Sequence, residues 1–236
     1  MTVSSSLAAW RVMVARSESS EPVAAPPAGW TAVVPVKDLT VAKSRLPYDD
    51  LPRAALALAM AHDVVSVLRA TPGIGRVLVI TDDPTATDEL KDDARIVMDA
   101  PRAGLSAALS FGARVAARHW PADGILTVAS DLAALSTPDL LLVLETAAAV
   151  RASRFLIADA AGSGTTILAA APGTSLRPRF EGGSRAAHLA EGAVDLTETA
   201  PPGLRQDVDT AADVAAILAI GAGPRTLRTL RTYGLA

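Results

Sequence analysis

The stretch Gly124-Ile125-Leu126-Thr127-Val128-Ala129-Ser130-Asp131-Leu132 constrains the fold more than any other part of the chain. An apolar, β-branched run of this kind reads as a buried central strand. It ends in a carboxylate, and the helix cap Ser136-Thr137-Pro138-Asp139 follows directly. Asp131 is therefore expected at the carboxyl end of a strand in an α/β sheet, the rim on which open α/β sheets bind ligands. An acid there can hold a hard cation such as Mg²⁺, shared between carboxylates and substrate phosphates. It can equally do no more than cap the next turn.

Strand and helix patterns alternate on both sides of this stretch. Trp30-Thr31-Ala32-Val33-Val34-Pro35-Val36 reads as a first buried strand, followed by a polar loop over 37–46 and a strongly helical pattern over 51–69. Strands are predicted at 76–81, 95–98, 154–158, 167–171 and 194–196, and helices at 84–90, 105–118, 137–151 and 211–221. The pair at 154–158 and 167–171 is joined by Gly162-Ser163-Gly164-Thr165-Thr166, a turn with backbone amides open to an anion. This order predicts one mostly parallel sheet with a late antiparallel strand and a small strand-rich insert. Residues 1–28, rich in Ser, Ala, Pro and Glu, read as a flexible extension, 29–223 as the folded domain and 224–236 as a C-terminal tail.

Composition removes several function classes. The 236 residues, half of them hydrophobic, suffice for one large α/β domain. A net charge of −3 argues against a nucleic-acid binder, which shows a basic excess. With no cysteine there are no disulfides or thiolate metal sites, and the 3 histidines, His62, His119 and His188, lack zinc-motif spacing. No apolar run reaches the length of a membrane span and no secretion signal is visible, so a cytoplasmic enzyme is expected.

Candidate site residues come from the loops. Of 22 Lys plus Arg, lysine occurs only at Lys37, Lys43 and Lys91. Two of these lie in the loop after the first strand, as a phosphate site that wants a compact ammonium would have them. Asp82-Asp83-Pro84 reads as a helix start rather than a metal site. In Gln206-Asp207-Val208-Asp209-Thr210, Asp209 or Thr210 supplies the next helix cap, whereas Asp207 has no such duty and is a candidate partner for Asp131. The loop Arg177-Pro178-Arg179-Phe180-Glu181-Gly182-Gly183-Ser184-Arg185 leads into a short helix and reads as an anion site or as a flexible surface loop. Gly104-Leu105-Ser106 opens a helix and can face a nucleobase or ribose. Arg225, Arg228 and Arg231 read as a solvated helix face.

Taken in order, Val34-Pro35-Val36-Lys37, Ala42-Lys43-Ser44-Arg45-Leu46, Ser130-Asp131-Leu132, Gly162-Ser163-Gly164-Thr165-Thr166, Arg179-Phe180 with Gly183-Ser184, and Asp207-Val208-Asp209-Thr210 resemble the 2-phospho-L-lactate guanylyltransferases of coenzyme F-420 biosynthesis. The likeness covers about residues 30–223 and points to the actinobacterial branch that uses phosphoenolpyruvate. It implies a single-domain, Rossmann-like nucleotidyltransferase fold. It implies GTP and phosphoenolpyruvate as substrates, enolpyruvyl-diphospho-guanosine and pyrophosphate as products, and a downstream transferase of the same pathway as recipient. It implies Mg²⁺ on Asp131 and Asp207, with Lys37 and Lys43 completing the catalytic set. It implies nucleotide contacts at Pro35, Lys37, Lys43 and Arg45, to which Gly104 and Ser106 are added, and acceptor contacts at Thr165, Glu181 and Ser184. At Glu181 the family typically has Gly. A backbone contact there would survive the change, whereas an inward carboxylate would repel the substrate. Open alternatives are 2-phospho-L-lactate as acceptor, another phosphorylated metabolite, or a nucleotide-binding protein without turnover. A Rossmann dehydrogenase is disfavoured because the first strand is followed by Pro35-Val36-Lys37 and not G-x-G-x-x-G.

Overall fold

The structure, a computed structural model, describes residues 29–99 and 101–236; the extension expected over 1–28 lies outside the described residues. Its centre is a seven-stranded sheet of order β3-β2-β1-β4-β6-β5-β7. The strands are β1 (Trp30–Pro35), β2 (Ile74–Thr81), β3 (Arg95–Met98), β4 (Gly124–Val128), β5 (Arg154–Ile157), β6 (Ile167–Ala170) and β7 (Val194–Asp195). β1 pairs in parallel with both β2 and β4, and β2 with β3. β6 is antiparallel to β4 and to β5, while β5 and β7 are parallel. Only β6 therefore runs against the rest, as expected of a hairpin inserted into a parallel sheet. The carboxyl ends of β1, β4, β5 and β7 consequently open on one rim.

The helices among the described residues are α1 (Asp50–Ala70), α2 (Pro84–Leu90), α3 (Leu105–His119), α4 (Thr137–Ala149), α5 (Ser184–Ala190), α6 (Ala211–Ile220) and α7 (Pro224–Thr232). They cover both faces of the sheet, which is why the central strands are apolar throughout rather than alternating. Every residue of β4 is buried. Ala32 and Val34 of β1 pack with Val64 and Leu68 of α1 and Leu140 and Val143 of α4. Val33, on the opposite face, packs with Ala108, Leu109 and Ala116 of α3. The small residues of α3 let it lie close to the sheet. A Cβ on Gly112 would come within 2.8 Å of both Val33 and Ile80.

Two details fix the loops on the functional rim. The Asp83 carboxylate caps α2 by accepting from the Ala86 amide at 2.8 Å, and it also accepts from the Leu39 amide at 2.9 Å. That second bond ties the loop after β1 to the neighbouring strand end. Residues 224–236, set apart on sequence as a tail, include α7, whose Arg225 and Thr226 amides donate to Asp63 of α1 at 3.1 and 2.8 Å. Leu230 of α7 is fully buried in a cluster with Leu56 and Met60 of α1, while Arg225, Arg228 and Arg231 face solvent.

Candidate active site

The loops after β1, β4 and β5 enclose a cleft of ≈ 430 Å³ with the 205–210 segment and the start of α5. A cleft of that size suits a small-molecule ligand. Its residues divide into a basic wall, an acidic floor and a hydroxyl wall.

The loop after β1 makes the basic wall. Pro35, Lys37, Lys43 and Arg45 all line the cleft. Lys37 is exposed and has no carboxylate partner among the described residues. Lys43 sits in the left-handed region at φ 57°, a conformation that costs a non-glycine residue about 1–3 kcal/mol. Its ammonium is held between Asp131, with which it forms a short ion pair, and Asp209 at 3.4 Å. Burial disfavours the charge, but the nearby Asp131 and Asp209 carboxylates more than offset it and hold the Lys43 pKa above its ordinary value. Arg45, largely exposed, pairs with the other oxygen of Asp209.

Asp131, Asp207, Asp159 and Asp209 make the acidic floor. Asp131 stands past the end of β4 as the sequence requires. Asp207 is pushed up to a pKa of about 6, first by burial and then by the charges of Asp131, Asp209 and Asp159. Its own backbone N–H is a small counterweight, and no lysine or arginine side chain pairs with it among the described residues. This is an uncompensated carboxylate, the environment a hard cation relieves. Among the described residues no group of three or more His, Cys, Asp or Glu forms a self-sufficient metal site. A cation held here would therefore take much of its coordination from a ligand's oxygens.

The hydroxyl wall joins the β5–β6 hairpin to α5. Thr165 and Ser184 line the cleft and their oxygens lie 3.2 Å apart. Gly182 and Gly183, at φ 52° and 63°, turn the chain sharply into α5, a path that glycine takes without strain. Phe180 closes this end, its ring edge-on to the His188 imidazole at 4.9 Å. The Glu181 side chain does not line the cleft. It reaches the start of α3, accepting from the Ser106 amide at 3.0 Å and from the Ser106 hydroxyl, which in turn accepts from the Phe180 amide at 2.8 Å. Glu181 thus caps a helix whose own N-cap, Gly104, has no side chain to do so. These hydrogen bonds hold its carboxyl below the usual range. Of the two readings open for Glu181, the inward-pointing carboxylate is not the one observed; Gly104 and Ser106, expected at the nucleotide, do not line the cleft, and Ser106 is bonded to Glu181.

Three residues of the site escaped the sequence. Asp209 has the look of a helix-cap residue, but the cap is Thr210, in a capping box with Asp213, and Asp209 turns to Lys43 and Arg45. Asp159, at the end of β5, was recognisable only as an acid on the same rim as Asp131. It lies over Gly164, where a Cβ would come within 2.3 Å of its Oδ2. His188 is fully buried beneath Thr165; its signal was the one-turn spacing from Ser184.

Comparison with known proteins gives the family and the fold. The family described as "Guanylyl transferase CofC like" matches residues 30–236. A phosphoenolpyruvate guanylyltransferase of Salinispora arenicola is 48% identical over 200 residues, 84% of this chain and 91% of its own length. One of Streptomyces coelicolor is likewise 48% identical, over 84% of this chain and 93% of its own. Among solved structures, a Methanothermobacter nucleotidyl transferase superposes with a TM-score of 0.56 at 22% identity, covering 85% of this chain and 99% of that one. A 4-diphosphocytidyl-2C-methyl-D-erythritol synthase gives 0.55 at 11% identity, over 83% and 99%. The last two establish the nucleotidyltransferase-like fold alone.

Proposed function

The chain belongs to the CofC-like guanylyl transferase family, and from that premise we propose that it joins GTP and phosphoenolpyruvate to give enolpyruvyl-diphospho-guanosine and pyrophosphate in coenzyme F-420 biosynthesis. The observation that carries this reading is one cleft with a cationic loop, an acidic floor centred on Asp207 and a hydroxyl wall at Thr165 and Ser184. Such a cleft suits two polyanions that must meet. The printed names of the relatives from Salinispora and Streptomyces supply the acceptor.

The chemistry asks little of proton transfer. The acceptor phosphate is ionised at neutral pH, so an oxygen of it attacks the α-phosphorus of GTP directly and pyrophosphate leaves. Catalysis is then mainly positioning and charge neutralisation. Lys37, Lys43 and Arg45 bind the triphosphate, with Lys43 exchanging part of its contact to Asp131 for a phosphate oxygen. Thr165 orients the acceptor by donating its hydroxyl to an anionic oxygen, and Ser184, whose own hydroxyl donates to Thr165 Oγ1, completes the same wall. Glu181 acts one step away, holding the 177–183 loop against α3. Asp131 and Asp207 are the residues that would hold Mg²⁺, which would supply electrostatic stabilisation of the charge developing on pyrophosphate. The acidic floor fits that ion because Asp207 has no cation of its own.

No helix among the described residues is long and apolar enough to cross a membrane. The reading carries a cytoplasmic reaction whose product passes to a downstream transferase. A screen of GTP, ATP and CTP against phosphoenolpyruvate and 2-phospho-L-lactate, read by pyrophosphate release, tests the reading. Fastest release with GTP and phosphoenolpyruvate is expected. Preference for 2-phospho-L-lactate would move the enzyme to the other branch of its family, and turnover with neither acid would refute the assignment.

A further inference from the structure

His188 has no part in the reaction described so far, yet it is fully buried and both ring nitrogens are engaged. Nε2 lies 2.8 Å from the backbone nitrogen of Arg179. A backbone amide can only donate, so Nε2 must be the unprotonated, accepting nitrogen. The neutral ring then carries its proton on Nδ1, which lies 3.0 Å from Thr165 Oγ1. Thr165 Oγ1 is thereby an acceptor toward His188, and it lies 3.2 Å from Ser184 Oγ, which donates to it. With its oxygen receiving these bonds, the one polar function left to Thr165 is its own O–H, on a residue that lines the cleft. A free hydroxyl can donate or accept; this one is left only to donate.

We propose that His188 is a positioning residue that fixes the polarity of the acceptor site: the Arg179 amide sets the imidazole tautomer, the tautomer sets the Thr165 hydroxyl, and Thr165 presents an obligatory donor to an anionic oxygen of the acceptor. The inference rests on the reading that Thr165 and Ser184 hold the acceptor. An imidazolium would break the relay, because a second N–H would face the Arg179 amide. Burial guards against this by lowering the His188 pKa to about 4, against the opposing pull of the Glu181 and Glu191 charges. The same relay ties three separate segments of the wall together: the loop at Arg179, the hairpin at Thr165 and α5.

Two variants separate the ring's two nitrogens. His188→Gln places an amide oxygen near Nε2 and keeps the Arg179 bond but loses the donor to Thr165. His188→Asn places an amide N–H near Nδ1 and keeps the donor to Thr165. The Gln variant is expected to raise the acceptor KM about tenfold while leaving the GTP KM within about twofold. The Asn variant recovers the larger part of that loss. In a Thr165→Val background, which removes the hydroxyl itself, His188→Gln adds no further rise in acceptor KM. Nitrogen NMR on this 236-residue chain, which has only 3 histidines to assign, should show His188 as the Nδ1–H tautomer at neutral pH. Equal losses in Gln and Asn, an additive double variant, or an Nε2–H or doubly protonated ring would overturn the proposal. Should Thr165→Val alone leave the acceptor KM unchanged, the placement of the acceptor fails first. The tautomer measurement then still decides whether the relay exists.

Discussion

Replacing Asp207 with Asn should stabilise the metal-free protein while it disables the enzyme. Burial and three neighbouring carboxylates move the Asp207 pKa from 3.8 to about 6. A carboxyl with a raised pKa binds more protons folded than unfolded between those two values. Its burden on the native state therefore grows as pH rises through that window and is complete above it. Two units correspond to about 3 kcal/mol with no screening, and the partial exposure of Asp207 reduces this to about 1 kcal/mol. For a chain of this length about 1 kcal/mol is about 2–4 °C in Tm. The assay is thermal unfolding of wild type and Asp207→Asn in chelator, at a series of pH values from about 4 to 8. The variant should melt higher near neutral pH, and its advantage should shrink on acidification. Mg²⁺ with nucleotide should raise the wild-type Tm more than that of the variant. A variant that melts lower at neutral pH without metal would show that Asp207 makes a stabilising contact, and the uncompensated-carboxylate argument would be wrong.

Asn at Asp131 or at Asp207 should each lower kcat about 10²–10³-fold, and the double variant should lose little more because both disable one metal unit; titrating Mg²⁺ against turnover checks this, and multiplicative losses would separate the two acids. Lys37→Ala should raise the GTP KM with no change in Tm, since Lys37 has no partner among the described residues; unaltered GTP kinetics would remove it from the nucleotide site. Lys43→Ala should weaken GTP use and also leave Asp131 without its ammonium, so far-ultraviolet circular dichroism must accompany the kinetics. Glu181→Ala should lower Tm by about 1–3 °C through loss of the cap on α3, with the acceptor KM rising less than in Thr165→Val. A larger rise than in Thr165→Val would put the Glu181 side chain in the acceptor site after all.

The parts of this molecule that sequence reasoning reached are those that local chemistry dictates. β1 and β4 are apolar runs that only a doubly covered sheet accommodates, and the carboxylate after β4 had to emerge at the rim. The Gly-rich hairpin between β5 and β6 followed from its turn residues, and its antiparallel pairing is the observed one. What the sequence left open was where a side chain turns across a long stretch of chain. Asp209 precedes a helix and looks like a cap, but its partners Lys43 and Arg45 approach from the loop after β1. Glu181 sits in an anion-binding context, but an uncapped helix start at Gly104 captures its carboxylate. His188 carries no motif. Its role appears only once the Arg179 amide and the Thr165 hydroxyl are seen on its two nitrogens.

The central claim is that an oxygen of the acceptor phosphate attacks the α-phosphorus of GTP. Phosphoenolpyruvate carrying ¹⁸O in its terminal phosphate oxygens, incubated with the enzyme, GTP and Mg²⁺, tests this in a single mass spectrum. The account predicts a guanosine diphosphate ester of enolpyruvate that retains all of the label, with none in the pyrophosphate. Label in pyrophosphate, or a product that has lost label, would contradict it.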